Sequence, residues 1–414
     1  MTNASSIRPA ALASALALSV AACNMDVVNP TVIDATTFDP NADAATLSLS
    51  AQSNFYRALG STIPYSAFFS QEAWVGVVRQ ETNDVGRRAM SAATSDINTS
   101  IWTPLQRSLS TNEVAIEVLA KGPTAASDIN LARANMNSGF SLVVLAEHFC
   151  QGTIRVGPPL SAAQMLDAAI ARFTQAVAIA TAAGGTEGAK IVNASNVGIA
   201  RAALQKKDYA KAAQAAALVT STSFVYNALA VDDASNRALG NQTYIYDAGG
   251  PSIVVPDVYR ALNDPRVPWR DAGIKAQDTQ LQWYQQLKYT GYASPIRVAS
   301  KLEADYIGAE AALQTGNSAP ALTLIAARRA ANGQGAFTGT TTAAILAELM
   351  DQRAREFWME AKHTGDWMRN PAATPYVPAA GTTFYKPAQG NYGNATCLPV
   401  PLAEVNANPN FPKS

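Results

Sequence analysis

ALQKKDYAKAA, residues 203–213, and ALQTGNSAPAL, residues 312–322, share an Ala-Leu-Gln start, a polar turn and small residues at matching offsets. Each follows an alanine-rich stretch (NASNVGIARAA and ASKLEADYIGAEA) and precedes another (AAQAAALVT and ALTLIAARRAA). Small side chains let two helices nest and a short polar turn reverses the chain, which is the grammar of tetratricopeptide helix pairs. LARANMNSGFSLVVLAEHF followed by SAAQMLDAAIARFTQAVAIATAAG reads as a third pair. The full tetratricopeptide consensus is not met, so plain alanine-rich hairpins are the alternative; a helical solenoid core follows from either.

The rest of the chain agrees with a mainly α protein. Its 414 residues, 48% hydrophobic, can bury one large core or two ordinary ones, and alanine dominates while β-branched runs are few. A formal net charge of zero leaves no basic excess to neutralise phosphates, which argues against a nucleic-acid partner. From Asp43 to Leu59 the residues Ala44, Leu47, Ala51, Phe55 and Leu59 fall on one helical face, and Trp102–Leu119 and Leu131–His148 keep the same period. At the start, MTNASSIRP precedes the apolar run AALASALALSVAAC, too short to span a bilayer, so residues 1–22 read as a signal peptide. Val20-Ala21-Ala22-Cys23 resembles the lipobox of bacterial lipoproteins, which makes Cys23 the expected site of lipidation and of membrane anchoring. Residues 23–42, with Pro30, Pro40 and several Asx residues, read as an extended tether, and residues 43–414 as a single domain. Within it the helical pairs occupy about 131–220 and 296–370. An aromatic, proline- and glycine-rich loop insertion covers 221–295, and 374–414 is irregular.

The most charged stretch is LMDQRAREFWMEAKHTGDWMRNP, residues 349–371. Read as a helix, it sets Leu349, Arg353, Glu356, Glu360 and His363 on one stripe. Glu360 and His363 have the Glu-x-x-His spacing of helical metal sites, but such a site needs a second copy, and His148 in AEHFCQG has no matching partner. Glu356 and Glu360 are also a conceivable glycosidase pair. With Arg353 and Arg355 beside them, an ion-pair network between helices is the commoner meaning of such a pattern. The reading is therefore no catalytic residue, no metal and no cofactor.

The order Gln352-Arg353-x-x-Glu356-Phe357-x-x-Glu360-Ala361-x-His363-x-x-Asp366-Trp367-x-Arg369 resembles the C-terminal signature of the SusD/RagB family of nutrient-binding outer-membrane lipoproteins. It keeps the spacing and departs from the family's usual residues at Gln352, Ala361, His363 and Trp367. CLPVPLAEVNANPNF resembles the same family's ending, IRVASKLEADYIGAEAALQTGN with ALTLIAARRAANG its preceding segment, Asp264-Pro265-Arg266 a mid-chain element, and VVNPTVIDATTF its tether. The resemblance implies a SusD-like fold: tetratricopeptide-like helical pairs in a superhelix, with a loop-rich region that binds ligand. It implies capture of glycans or peptide-like nutrients for a SusC-like TonB-dependent transporter, on the cell surface of a Gram-negative outer membrane. A tetratricopeptide-type envelope lipoprotein acting as a protein scaffold is the competing reading, against which the aromatic insertion argues.

Sugars are held by aromatic faces with polar groups aligning the hydroxyls. The candidate ligand-binding residues are Trp74, Arg79, Asn83 and Asp84 in QEAWVGVVRQETNDVGRR, and Trp269, Trp283 and Tyr284 in the insertion. Core packing is the plain alternative for each aromatic, and an exposed tryptophan at a loop-lined depression is the expected form of the site. Once Cys23 is lipidated, Cys150 and Cys397 remain, an even pair that predicts a disulfide in an exported protein, two separate buried thiols being the alternative.

Overall fold

The two related turns have the same backbone in the computed structural model, which describes residue 39 and residues 42–412. At the first, Lys207 N donates to Leu204 O and Asp208 N to Ala203 O (both 2.9 Å); at the second, Gly316 N donates to Leu313 O (3.1 Å) and Asn317 N to Ala312 O (2.9 Å). Lys207 (φ 61°) and Gly316 (φ 93°) both take the left-handed conformation that this pair of hydrogen bonds requires. The polar residue that follows then starts the next helix: Asp208 Oδ1 accepts from Lys211 N and Asn317 Oδ1 from Ala319 N.

In chain order the elements are α1 (Ala44–Ser70), β1 (Trp74–Val75), α2 (Gln80–Gly86), a π-helical turn (Ile97–Trp102) running into α3 (Thr103–Leu119), and α4 (Ile129–His148). Then come β2 (Gln151–Gly152), β3 (Leu160–Ser161), α5 (Ala162–Ala183), α6 (Gly185–Gln205), α7 (Tyr209–Ala217) and β4 (Val225–Ala228). The next are α8 (Gln242–Ala248), β5 (Ile253–Val254), α9 (Asp257–Arg260), β6 (Trp269–Lys275), β7 (Gln282–Gln286) and β8 (Ile296–Ser300). The last helices are α10 (Lys301–Gln314), α11 (Ala319–Ala331), α12 (Thr342–Glu356), α13 (His363–Arg369) and α14 (Leu402–Ala407). The strands form two-stranded antiparallel pairs, β1–β5, β2–β3, β4–β8 and β6–β7. Residues 221–295 therefore hold short strands and helices where a loop insertion is expected from sequence. Among the described residues, no helix is long and apolar enough to cross a membrane. The expected signal peptide, Cys23 and nearly all of the expected tether lie outside the described residues.

Successive helices pack in pairs, α4 with α5, α6 with α7 and α10 with α11. Close approach is built on two glycines. A Cβ on Gly139 of α4 would lie 2.7 Å from the Phe173 ring, and one on Gly198 of α6 would lie 2.3 Å from it. Phe173 of α5 is thus a fully buried knob between two neighbours that have no side chain to oppose it. The first helix continues through Pro64 to Ser70, beyond the Leu59 expected from periodicity. Proline leaves the carbonyl four residues earlier without a donor, and Thr243 Oγ1 supplies one, donating to Gly60 O at 2.9 Å.

A larger departure lies in the charged stretch. α12 ends at Glu356, Met359 (φ 53°) and Ala361 (φ 56°) adopt left-handed geometry, and a separate helix starts at His363. The continuous stripe from Leu349 to His363 does not exist, because buried partners from elsewhere take the backbone groups. Met359 N donates to Glu72 Oε1 (2.9 Å), Trp358 O accepts from Lys288 Nζ (2.5 Å) and Met359 O accepts from the Tyr289 hydroxyl (2.8 Å).

A disulfide joins Cys150 to Cys397, with Cα atoms 5.2 Å apart and 247 residues between them in sequence. Cys150 N donates to Leu398 O (3.0 Å) and Leu398 N to His148 O (2.7 Å), which fixes the C-terminal segment against the end of α4.

Three outcomes are expected in denaturant titrations. Lys207→Gly relieves a left-handed lysine on an exposed turn and raises stability by up to about 1 kcal/mol, while Gly316→Ala, in open space, lowers it by a similar amount. A lower midpoint for Lys207→Gly would show that the turn is not strained. For the double Cys150→Ser, Cys397→Ser variant, chain entropy predicts a loss on the order of 5 kcal/mol. Identical midpoints for the double variant and the oxidised parent would overturn this.

Candidate functional site

The chain leaves α1 through Gln71 (φ 65°) and at once forms β1, with Trp74 opposite Val254 and Val75 opposite Ile253 of β5. Gly76 permits the tight crossing that follows, since a Cβ there would meet Pro251 O at 2.8 Å. Tyr385, from the C-terminal segment, lies on the Trp74 indole nearly face to face, 4.6 Å between centroids and 17° between planes. Val75 N donates to the Tyr385 hydroxyl at 2.6 Å, which fixes the phenol in register with the strand. Both rings are half-buried, so the stack is supported from beneath and only part of each ring reaches solvent.

The support is a buried cation. Lys386 Nζ pairs with Asp278 (2.7 Å) and donates to Asn83 Oδ1 (2.8 Å) and Val77 O (3.3 Å). Burial lowers the lysine pKa, against the pull of Asp278. Asn83 in turn donates to Val77 O (2.9 Å) and Arg79 O (2.8 Å). Asn83 is therefore a buried brace with its amide fully engaged, and a ligand hydroxyl cannot reach it.

The other candidates fall into separate places. Trp283 Nε1 donates to Ile253 O (3.1 Å) and Val255 N donates to Tyr284 O (2.8 Å), so β5 links Trp74 on one side to β7 on the other. Trp269 and Tyr284 meet edge to face at 5.7 Å on the β6–β7 hairpin, where the Arg260 guanidinium sits 3.5 Å over the Tyr284 ring and 5.8 Å from that of Trp269. Alternation along β7 turns Trp283 and Tyr284 to opposite faces. Arg79 pairs with Asp96 (2.9 Å) and Asp84 with Arg87 (2.8 Å), contacts within the α2 region. The three candidate tryptophans are all half-buried, and the freely exposed indole expected from sequence is not found: a ring this large reaches its contacts with strands and neighbouring rings on one face.

Tyr385 escaped the sequence reading. The signal for it was local: FYKPAQGNYG places Phe384, Tyr385 and Tyr392 around a lone lysine in a segment read only as irregular.

The charged stretch itself is structural. Glu360 is buried between Lys288 (2.7 Å) and Arg297 (2.8 Å), with Lys362 at 3.6 Å. Burial alone would raise its carboxyl, but Lys288, Arg297 and Lys362 outweigh that and hold it at about 2. Glu356 pairs with Arg328 (2.6 Å) and Arg297 (3.4 Å), and Asp366 with Arg353 (2.7 Å) and Arg369 (2.9 Å). Burial lowers the His363 pKa to about 4, and its Nε2 lies 3.1 Å from Pro375 O. Both carboxylates considered for acid–base work are thus neutralised by shared cations, and Glu360 and His363 lie on no common helix. Among the described residues no group of three or more His, Cys, Asp or Glu is placed to hold a metal.

Helical pairs with short strands and loops interleaved among them make a SusD-like fold, as comparison with solved structures shows. No family model matches the sequence, and no curated protein does. Solved structures match over most of the chain. A surface glycan-binding protein A from Bacteroides thetaiotaomicron, in complex with laminarihexaose, superposes with a TM-score of 0.70 at 12% identity, covering 89% of this chain and 98% of that one. A SusD-like carbohydrate-binding protein from Bacteroides vulgatus gives 0.68 at 14% identity (89% and 96% covered), and a surface glycan-binding protein A from Bacteroides fluxus 0.65 at 16% (87% and 96%). What is shared at these identities is the fold.

Glu72 supplies a pH test of the buried support. It is fully buried, its Oε1 accepts from Met359 N, and its Oε2 has no partner among the described residues. Burial raises its pKa from 4.5 to about 8, so the folded chain keeps a proton that the unfolded chain loses. Its contribution therefore turns against folding as pH rises from 4.5 to about 8, by at most about 1.4 kcal/mol per pH unit. Glu72→Gln removes this dependence: melting curves between those limits are expected to show a flatter pH profile for the variant and its largest gain at pH 8. Parallel profiles would show that Glu72 is ionised in the fold.

Proposed function

We propose that this protein is a member of the SusD/RagB family: a lipid-anchored surface protein that captures oligosaccharides on the Trp74–Tyr385 platform and delivers them to a SusC-like TonB-dependent transporter. The observation that carries the reading is the stacked pair itself. Two rings stacked within 17° of parallel, on a braced base and each partly open to solvent, offer aromatic surface of the kind on which the C–H face of a pyranose rests. The fold supports it, since similar structures are surface glycan-binding proteins, one of them holding laminarihexaose. The lipobox-like residues before Cys23 support outer-membrane anchoring through that thiol. The saturation of Glu356 and Glu360 by arginine and lysine supports binding without catalysis.

Calorimetric titration of the soluble chain with laminarihexaose and other neutral oligosaccharides tests it. Trp74→Ala is expected to weaken the bound glycan about tenfold or more, ~1.4 kcal/mol, at a temperature below the variant's own melting transition. Tyr385→Phe keeps the stack and is expected to lose far less. Unchanged affinity in Trp74→Ala would remove the platform from the site.

A further inference from the structure

We propose a second saccharide site, specific for an acidic sugar, in the cleft between α1 and the helix formed by the π-helical turn and α3. Asn54, Arg57 and Ser61 line one wall at helical spacing; Thr99, Thr103 and Arg107 line the other at intervals of four; the cleft encloses about 230 Å³. Two polar stripes face each other where packed helices ordinarily present apolar ones.

The arginines set the chemistry. Nearly every other arginine among the described residues pairs with a carboxylate. Those that do not are otherwise engaged: Arg88 and Arg260 lie over aromatic rings, and Arg270 donates to Gln285. Arg57 and Arg107 alone of these have no ion pair, side-chain hydrogen bond or ring contact, and both line this cleft, whose walls carry no carboxylate. Arg57 Nε is buried and without a partner. Two guanidiniums sharing a cleft repel one another, and a buried unpaired donor is costly, so an anionic group accepting from both would relieve both penalties. Glu404 shares an adjoining cleft with Arg107, and its carboxylate is taken by Trp102 Nε1 and Asn408 Nδ2. The volume suits one sugar residue bearing a carboxylate or a sulfate ester, with the hydroxyls of Ser61, Thr99 and Thr103 available to the ring. Arg57 lies 13 residues before the end of α1, roughly 20 Å from the Trp74 platform along the helix axis, so the two sites are distinct.

That the ligand is a saccharide rests on the function proposed above; that it is anionic rests on Arg57 and Arg107. The test titrates the soluble chain with tetragalacturonate, with a sulfated carrageenan tetrasaccharide, with neutral laminarihexaose and with inorganic sulfate. At least one acidic oligosaccharide is expected to bind, to weaken about tenfold or more in Arg57→Gln and in Arg107→Gln, and to weaken as salt is raised to about 0.5 M. Trp74→Ala is expected to leave that binding within about twofold. Arg107 is exposed, so its variant keeps the fold and decides the matter even if Arg57→Gln does not fold. The proposal is overturned if neither acidic oligosaccharide binds, if binding is indifferent to both substitutions, or if inorganic sulfate binds as tightly as the sugars. Loss of laminarihexaose binding in Trp74→Ala alongside any of those results leaves the platform standing without this cleft; Arg-dependent acidic binding with no Trp74-dependent ligand leaves the reverse.

Discussion

The fold depends on one buried break, residues 357–362, between α12 and α13. Phe357 belongs to the core of the C-terminal helical hairpins, whereas Trp358 and Met359 belong to the main core. One peptide bond separates side chains that serve two different interiors. The helical ladder opens at this point, and every backbone group it releases needs a partner. Glu72, Lys288 and Tyr289 supply those partners from the end of α1 and from beyond β7. Removing one member of such a buried set typically costs 3–5 kcal/mol, since the remaining charge or dipole stays out of water. Fixing the break also fixes Glu360 between Lys288 and Arg297, and through Lys362 it reaches Glu303 (2.6 Å) at the start of α10.

Legibility followed distance along the chain. The two Ala-Leu-Gln turns could be read because everything that makes them lies within six residues: an apolar helix end, a left-handed residue and a polar cap. The helices around Phe173 could be read because their period and their small residues are local. The break could not, because Met359 N is claimed by a carboxylate 287 positions away and Trp358 O by an amine 70 positions away. Before those partners are known, the stretch scores as helix on spacing alone, which is why the stripe from Leu349 to His363 was expected and is absent. Pro64 is the same lesson in reverse, a local stop signal cancelled by Thr243.

The site divides along the same line. Trp74 was visible as an aromatic in a polar loop, but its partner Tyr385 comes from 311 residues later by the numbering, and only the fold brings the rings together. Asn83 had the right chemistry for a sugar hydroxyl and is consumed by Lys386 and two carbonyls. Arg57 and Arg107 drew no attention as single residues in helical stretches. Their significance is relational, since it lies in the carboxylates that neither of them meets.

The Cys150–Cys397 bond bears on the platform because the segment it holds is the one that carries Tyr385. It also has a bearing on how the chain matures. With three cysteines in the whole sequence and Cys23 the expected acylation site, these two thiols have only each other within the chain. No shuffling among alternative bridges is possible once the first is acylated, so an isomerase would have nothing to correct. For a chain exported N-terminus first, as proposed above, the one error left is a bond between two molecules, open from the emergence of Cys150 until Cys397, 247 residues behind it, follows.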